Sequence, residues 1–152
     1  MNSRKFDKWM EFAIQEARIA QDIGEVPVGA VLVYENQIIA KSHNKTIKNF
    51  DPTSHAEINV IRQAAKKIGN YRLIGTSLYV TLEPCSMCYG AIIQARIENL
   101  VFGAFDNKTG VCGSCENFHV SLCFNHKPNI VGGILEKDCS KLLSDFFKHK
   151  RN

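Results

Sequence analysis

Ser77-Leu78-Tyr79-Val80-Thr81-Leu82-Glu83-Pro84-Cys85-Ser86-Met87-Cys88 is the stretch whose reading decides the fold. Residues 77–82 are apolar and β-branched enough to predict a strand. Pro84 stands where that strand meets a helix predicted over residues 85–96. Residues 100–103, Leu-Val-Phe-Gly, predict a second, buried strand. Strand, helix and strand in this order imply a parallel pair joined by a crossover.

Working outward, residues 28–34 form an apolar run with β-branched members. Glu35-Asn36-Gln37 reads as a turn, and a second strand starts over residues 38–40, which predicts an antiparallel hairpin. Upstream, Phe6, Trp9, Met10, Ala13, Ala17 and Ala20 recur at helical spacing, with Ser3 to cap the start and Gly24 to end it. Between hairpin and central strand, Asp51-Pro52-Thr53-Ser54 supplies turn and cap residues. A helix carrying Val60, Ile61, Ala64, Ala65 and Ile68 follows and stops near Gly69. Residues 105–127 read as mostly irregular and 129–132 as a last strand. Cys139, Leu142, Leu143, Phe146 and Phe147 make the apolar face of a final helix. The expected class is α/β, with helices covering a mixed sheet.

The 152 residues suit one domain, and a 45% hydrophobic content fills a core without disulfide support. No repeat or low-complexity stretch divides the chain. The net charge of +4 suits a polyanionic partner without demanding one. No stretch approaches the roughly 18 apolar residues of a membrane helix, and the first residues carry no apolar signal core. The protein is therefore expected inside the cell, where six cysteines point to a metal or to reduced thiols.

Two motifs carry chemistry. His55-Ala56-Glu57 falls at the expected start of the second helix, and Pro84-Cys85-Ser86-Met87-Cys88 at the start of the third. Two thiolates at Cys-x-x-Cys spacing and one imidazole give three protein ligands, which leaves one position of a tetrahedral zinc ion open for water. Glu57, two residues from His55, is placed to shuttle protons without being a ligand. Either motif alone is common; their conjunction in this order matches a known signature of zinc deaminases that act on nucleobases. Backbone N–H groups near Ala56 and Cys85 are expected to stabilise developing charge. A competing arrangement joins Cys85 and Cys88 to Cys112 and Cys115 in a structural Cys₄ site, which leaves the His-Ala-Glu motif without a role. Cys123 and Cys139 read as buried thiols. His43, His119, His126 and His149 have no metal-ligand neighbours.

From Glu25 to Phe147 the chain resembles the bacterial tRNA-specific adenosine deaminases, within the cytidine deaminase-like superfamily. The likeness is carried by Glu25-Val26-Pro27-Val28-Gly29-Ala30-Val31, Asp51-Pro52-Thr53-Ser54-His55-Ala56-Glu57, Asn70-Tyr71-Arg72-Leu73, residues 78–85, Val101-Phe102-Gly103-Ala104 and Leu142-Leu143-Ser144-Asp145-Phe146-Phe147. The resemblance implies a three-layer fold with a mixed sheet of about five strands, a single deaminase domain over residues 1–152, and a cytoplasmic homodimer. It also implies one zinc per chain, held by His55, Cys85 and Cys88, with Glu57 catalytic. The substrate would be the wobble adenosine of a tRNA anticodon stem-loop, hydrolysed to inosine. Asn44 would contact the flipped nucleoside, Val28 and the Pro27 turn would line its pocket together with Ala56 and Pro84, and Asp106, Lys108 and Phe147 would touch neighbouring nucleotides. Lys148, Lys150 and Arg151 read equally as RNA contacts and as a solvated helix end. Phe105 stands where such proteins more often carry a basic residue, so it reads as a platform for a base or as a buried ring. The zinc motifs alone also fit a deaminase of free guanine, cytosine or cytidine, and an RNA-binding module with structural zinc would dispense with Glu57.

Overall fold

The computed structural model describes residues 3–120 and 123–150. Helix α1 (Ser3–Asp22) leads into the hairpin β1 (Gly29–Tyr34) and β2 (Gln37–His43). Helix α2 (Ala56–Ile68), strand β3 (Ser77–Leu82), helix α3 (Ser86–Ala95) and strand β4 (Asn99–Ala104) follow. Strand β5 (Asn129–Val131) and helix α4 (Glu136–Lys150) complete the described chain. The five strands form one sheet in the order β2-β1-β3-β4-β5. β1 is antiparallel to both β2 and β3, while β3, β4 and β5 run parallel.

Alternation along the strands makes the layers. Ala30 and Leu32 face one side with Val60 and Ala64 of α2 and with Tyr89, Ile92 and Ile93 of α3. Val31 and Val33 face the other side, with Trp9, Met10, Ala13 and Ile14 of α1 and Cys139 of α4. Gly29 lets α1 pack this closely: a β-carbon there would lie 2.1 Å from the Ala13 carbonyl oxygen.

The expected elements form, with shifted ends. The hairpin loop is Glu35 and Asn36 alone, both at positive φ (48° and 62°), which matches the twist of two-residue hairpins. Gln37 therefore opens β2 instead of belonging to the turn, and β2 runs to His43. α2 stops where expected, at Gly69 with φ 77° and its N–H on the Ala65 carbonyl. α1 starts at Ser3, whose side chain lies outside the described ones; Arg151 lies outside the described residues altogether. Residues 105–127 are mostly irregular, as read, apart from a short 3₁₀ turn at Phe118–Val120 and a bridge between Cys112 and Asn117. Two thiol expectations divide: Cys139 is buried, whereas Cys123 is exposed. Among the described residues no helix is long and apolar enough to cross a membrane.

Candidate active site

The two motifs meet because both sit at helix N-termini on the same side of the sheet. His55 is the N-cap of α2 and Cys85 the N-cap of α3, each extended and without a side-chain cap bond of its own. The Asp51–Ser54 segment therefore does not cap α2 as expected. Asp51 instead accepts from the Thr53 N–H and hydroxyl, and Asn44 reaches across to accept the Ala56 N–H at 2.8 Å.

His55 Nδ1 lies 3.8 Å from Cys85 Sγ and 3.5 Å from Cys88 Sγ. Nitrogen and sulfur ligands at about 2.0 and 2.3 Å from one tetrahedral ion stand about 3.5 Å apart, so the spacing fits zinc. Among the described residues this is the only group of three or more side chains close enough to hold a metal. Cys112 and Cys115 stand outside it, which overturns the Cys₄ arrangement. Burial pushes the half-buried Cys112 thiol up to about 12, with the Glu83 and Glu57 charges adding, while Cys115 is exposed. The hydrogen bond from Cys88 is the main cause that holds Cys85 down to about 4, against its burial and with His55 adding. Cys88 is driven upward by the same bond, by burial and by Glu57.

Glu57 is 4% exposed beside these ligands. Burial raises its carboxyl to about 7, against the opposing pull of its own backbone N–H and of His55. It forms the floor of a cavity of about 590 Å³ shared with His55 and Cys85, walled by Val28 and Asn44 and rimmed by Phe105, Asp106, Lys108 and Phe147. Ala56 and Pro84 do not reach this wall. Both are buried; the Ala56 N–H is occupied by Asn44, so it is no charge-stabilising donor, and the Pro84 carbonyl accepts the Val111 N–H. Asn44 is more than a turn residue: its oxygen caps α2, and its NH₂ group has no partner among the described residues. Asp106 spends its carboxylate on the Lys108 N–H, the Thr109 N–H and the Thr109 hydroxyl. Phe105 is not buried, being 47% exposed.

Two buried carboxylates that border the site escaped the sequence reading. Glu83, 2% exposed, accepts the N–H groups of Asp106 (3.1 Å), Cys112 (2.9 Å) and Ser114 (3.2 Å) and the Ser114 hydroxyl, and so shapes the rim. Glu25, 1% exposed, accepts the Thr46 hydroxyl (3.1 Å) and the Ile47 (3.1 Å) and Lys48 (2.9 Å) N–H groups just beyond Asn44. The available signal was an acidic residue inside an apolar run, since such a carboxylate needs donors. Burial pushes the Glu25 carboxyl up, but these donors outweigh it and hold the group below its ordinary value. Its contribution to stability is thus full above the ordinary glutamate range and is lost as pH falls through the lowered folded value. Glu25→Ala should cost about 2 kcal/mol at neutral pH. In urea titrations the gap from wild type should narrow as pH falls below the ordinary glutamate range; a gap independent of pH contradicts this role.

The fold and site define a class. A model of the MafB19-like deaminase family matches residues 4–151. A tRNA-specific adenosine deaminase of Buchnera aphidicola subsp. Baizongia pistaciae is 54% identical over 95% of this chain and 90% of its own. One from Bacillus subtilis is 48% identical over 94% and 89%. A solved structure from work on A-to-I editing by tRNA:A34 deaminases superposes with a TM-score of 0.88 at 46% identity, covering 90% of this chain and 99% of that one. The chain belongs to the tRNA-specific adenosine deaminase family, and its five-strand, three-layer architecture is the cytidine deaminase-like fold.

Proposed function

We propose that this chain, as a single deaminase domain, hydrolyses the wobble adenosine of a tRNA anticodon to inosine and ammonia. The observation that carries the reading is a buried carboxyl, Glu57, set beside a His/Cys/Cys metal group on the floor of an open pocket. His55, Cys85 and Cys88 hold one zinc ion, which when bound supplies Lewis acidity and makes water more acidic. Glu57 takes a proton from the attacking water as its oxygen bonds to purine C6, and gives that proton to the adjacent ring nitrogen. It then moves the remaining hydroxyl proton to the amino group, which leaves as ammonia while C6 keeps the oxygen as a carbonyl. The Asn44 NH₂ group donates to the nucleoside, Val28 packs on it, and Lys108 and Phe147 meet neighbouring nucleotides. The target carbon is unreachable in a stacked helix, so the base must be splayed from a loop.

The test compares equal concentrations of an anticodon stem-loop with adenosine at the wobble position, a scrambled loop, and free adenosine, guanine and cytidine. The proper loop should react faster by about two orders of magnitude or more, the scale of positioning effects that its extra contacts supply. Ready turnover of guanine or cytidine without the loop would leave the deaminase chemistry intact and remove the RNA assignment.

The reading includes a cytoplasmic homodimer, since one 17.1 kDa chain offers little surface for gripping a folded loop. Sedimentation at micromolar concentration should give the mass of two chains. A fully active monomer refutes that part.

A further inference from the structure

The rim of the pocket carries a large apolar ring where solvent contact is costly. Phe105 is 47% exposed although it directly follows the buried end of β4, and Phe147 of α4, on the same pocket, is 44% exposed. Phe105 is held in place rather than loose. Its ring meets the core residue Phe102 edge-on, centroids 5.3 Å apart and planes at 88°. A β-carbon built on Gly133 would come within 3.5 Å of the ring, so this glycine borders it closely. The polar groups nearby are largely committed elsewhere: Asp106 closes its own turn, and Glu83 binds the backbone beneath.

We infer that Phe105 is a specificity-determining residue, the stacking platform for the nucleobase next to the reacting adenosine. The inference rests on the proposed function and deepens it. Drawing one base out of a loop costs a few kilocalories of unstacking and strips its neighbour of a π-face. A fixed aromatic ring at the pocket mouth replaces that face and recovers part of the loss. Stacking releases no counterions, so this part of the affinity does not depend on salt, unlike contacts from Lys108 to phosphate.

The test uses Phe105→Leu, which keeps an apolar side chain of similar bulk without a π-face, and Phe105→Trp, which restores one. Both are assayed on the anticodon stem-loop at several salt concentrations, with zinc content as the check on folding. The stem-loop is also made with an abasic site at each nucleotide flanking the target. Phe105→Leu should raise KM roughly tenfold, with the effect on KM rather than kcat and an unchanged salt slope, and Phe105→Trp should recover most of it. One of the two abasic loops should cost wild type the same roughly tenfold and cost Phe105→Leu almost nothing more, the signature of two partners in one contact. An unchanged KM in zinc-loaded Phe105→Leu, or abasic penalties equal in wild type and variant, overturns the inference while the proposed function stands. A wild-type chain that leaves the intact stem-loop unreacted overturns both.

Discussion

Glu57→Ala should retain zinc and bind the stem-loop within a few-fold of wild type, yet turn it over ~100- to 10,000-fold more slowly. Glu57 sits two residues from His55 on the first turn of α2, and the three metal-spacing atoms come from other side chains. Its removal therefore subtracts a proton carrier and leaves the ligand set whole. Single-turnover kinetics with excess enzyme isolate the chemical step from product release, and metal analysis of the same sample reports the site. Retention of more than about a tenth of the wild-type rate falls short of the usual worth of general acid–base catalysis and sinks the assignment.

Cys88→Ser and Cys85→Ser should each take zinc from about one ion per chain to near none at micromolar protein, and activity should vanish with it. A hydroxyl is a far poorer ligand than a thiolate, and neither remaining pair of donors closes the site. Cys112→Ser/Cys115→Ser should keep its zinc, because neither thiol joins the group around His55. Metal analysis after gel filtration decides the matter. Zinc lost from Cys112→Ser/Cys115→Ser as well as from the first two variants restores the Cys₄ arrangement, in which His55 has no part.

The class of fold was legible because the apolar runs at 78–82 and 100–103 flank a helix-forming stretch, and this order constrains topology strongly. The metal group was legible because its spacing is set by local geometry: two thiols three residues apart on one helical turn, and one imidazole at another helix start. What stayed hidden depends on contacts distant in sequence. Nothing near Asn44 announces that its oxygen would cap a helix 12 residues away. Glu25 and Glu83 are isolated acids in the sequence, and their donors lie 21 to 31 residues further on. Cys123 looked like a small apolar residue, yet it is exposed, and nothing in the residue type tells a buried thiol from an exposed one. Phe105 was ambiguous for the opposite reason: composition cannot tell a core ring from one set half in solvent.

The amide of Asn44 has consequences for how this enzyme can change. One atom of the side chain fastens the backbone one residue before Glu57, while the other end is open to the pocket. Substrate choice and the placement of the proton carrier thus pass through one residue. An engineer seeking a different base cannot vary position 44 freely, since a side chain without a suitably placed acceptor releases the start of α2. Aspartate keeps the acceptor and exchanges the open donor for an acceptor, so it offers the narrow path to altered recognition. Broader libraries are better directed at Val28 and Phe105, which border the same pocket without fastening that helix.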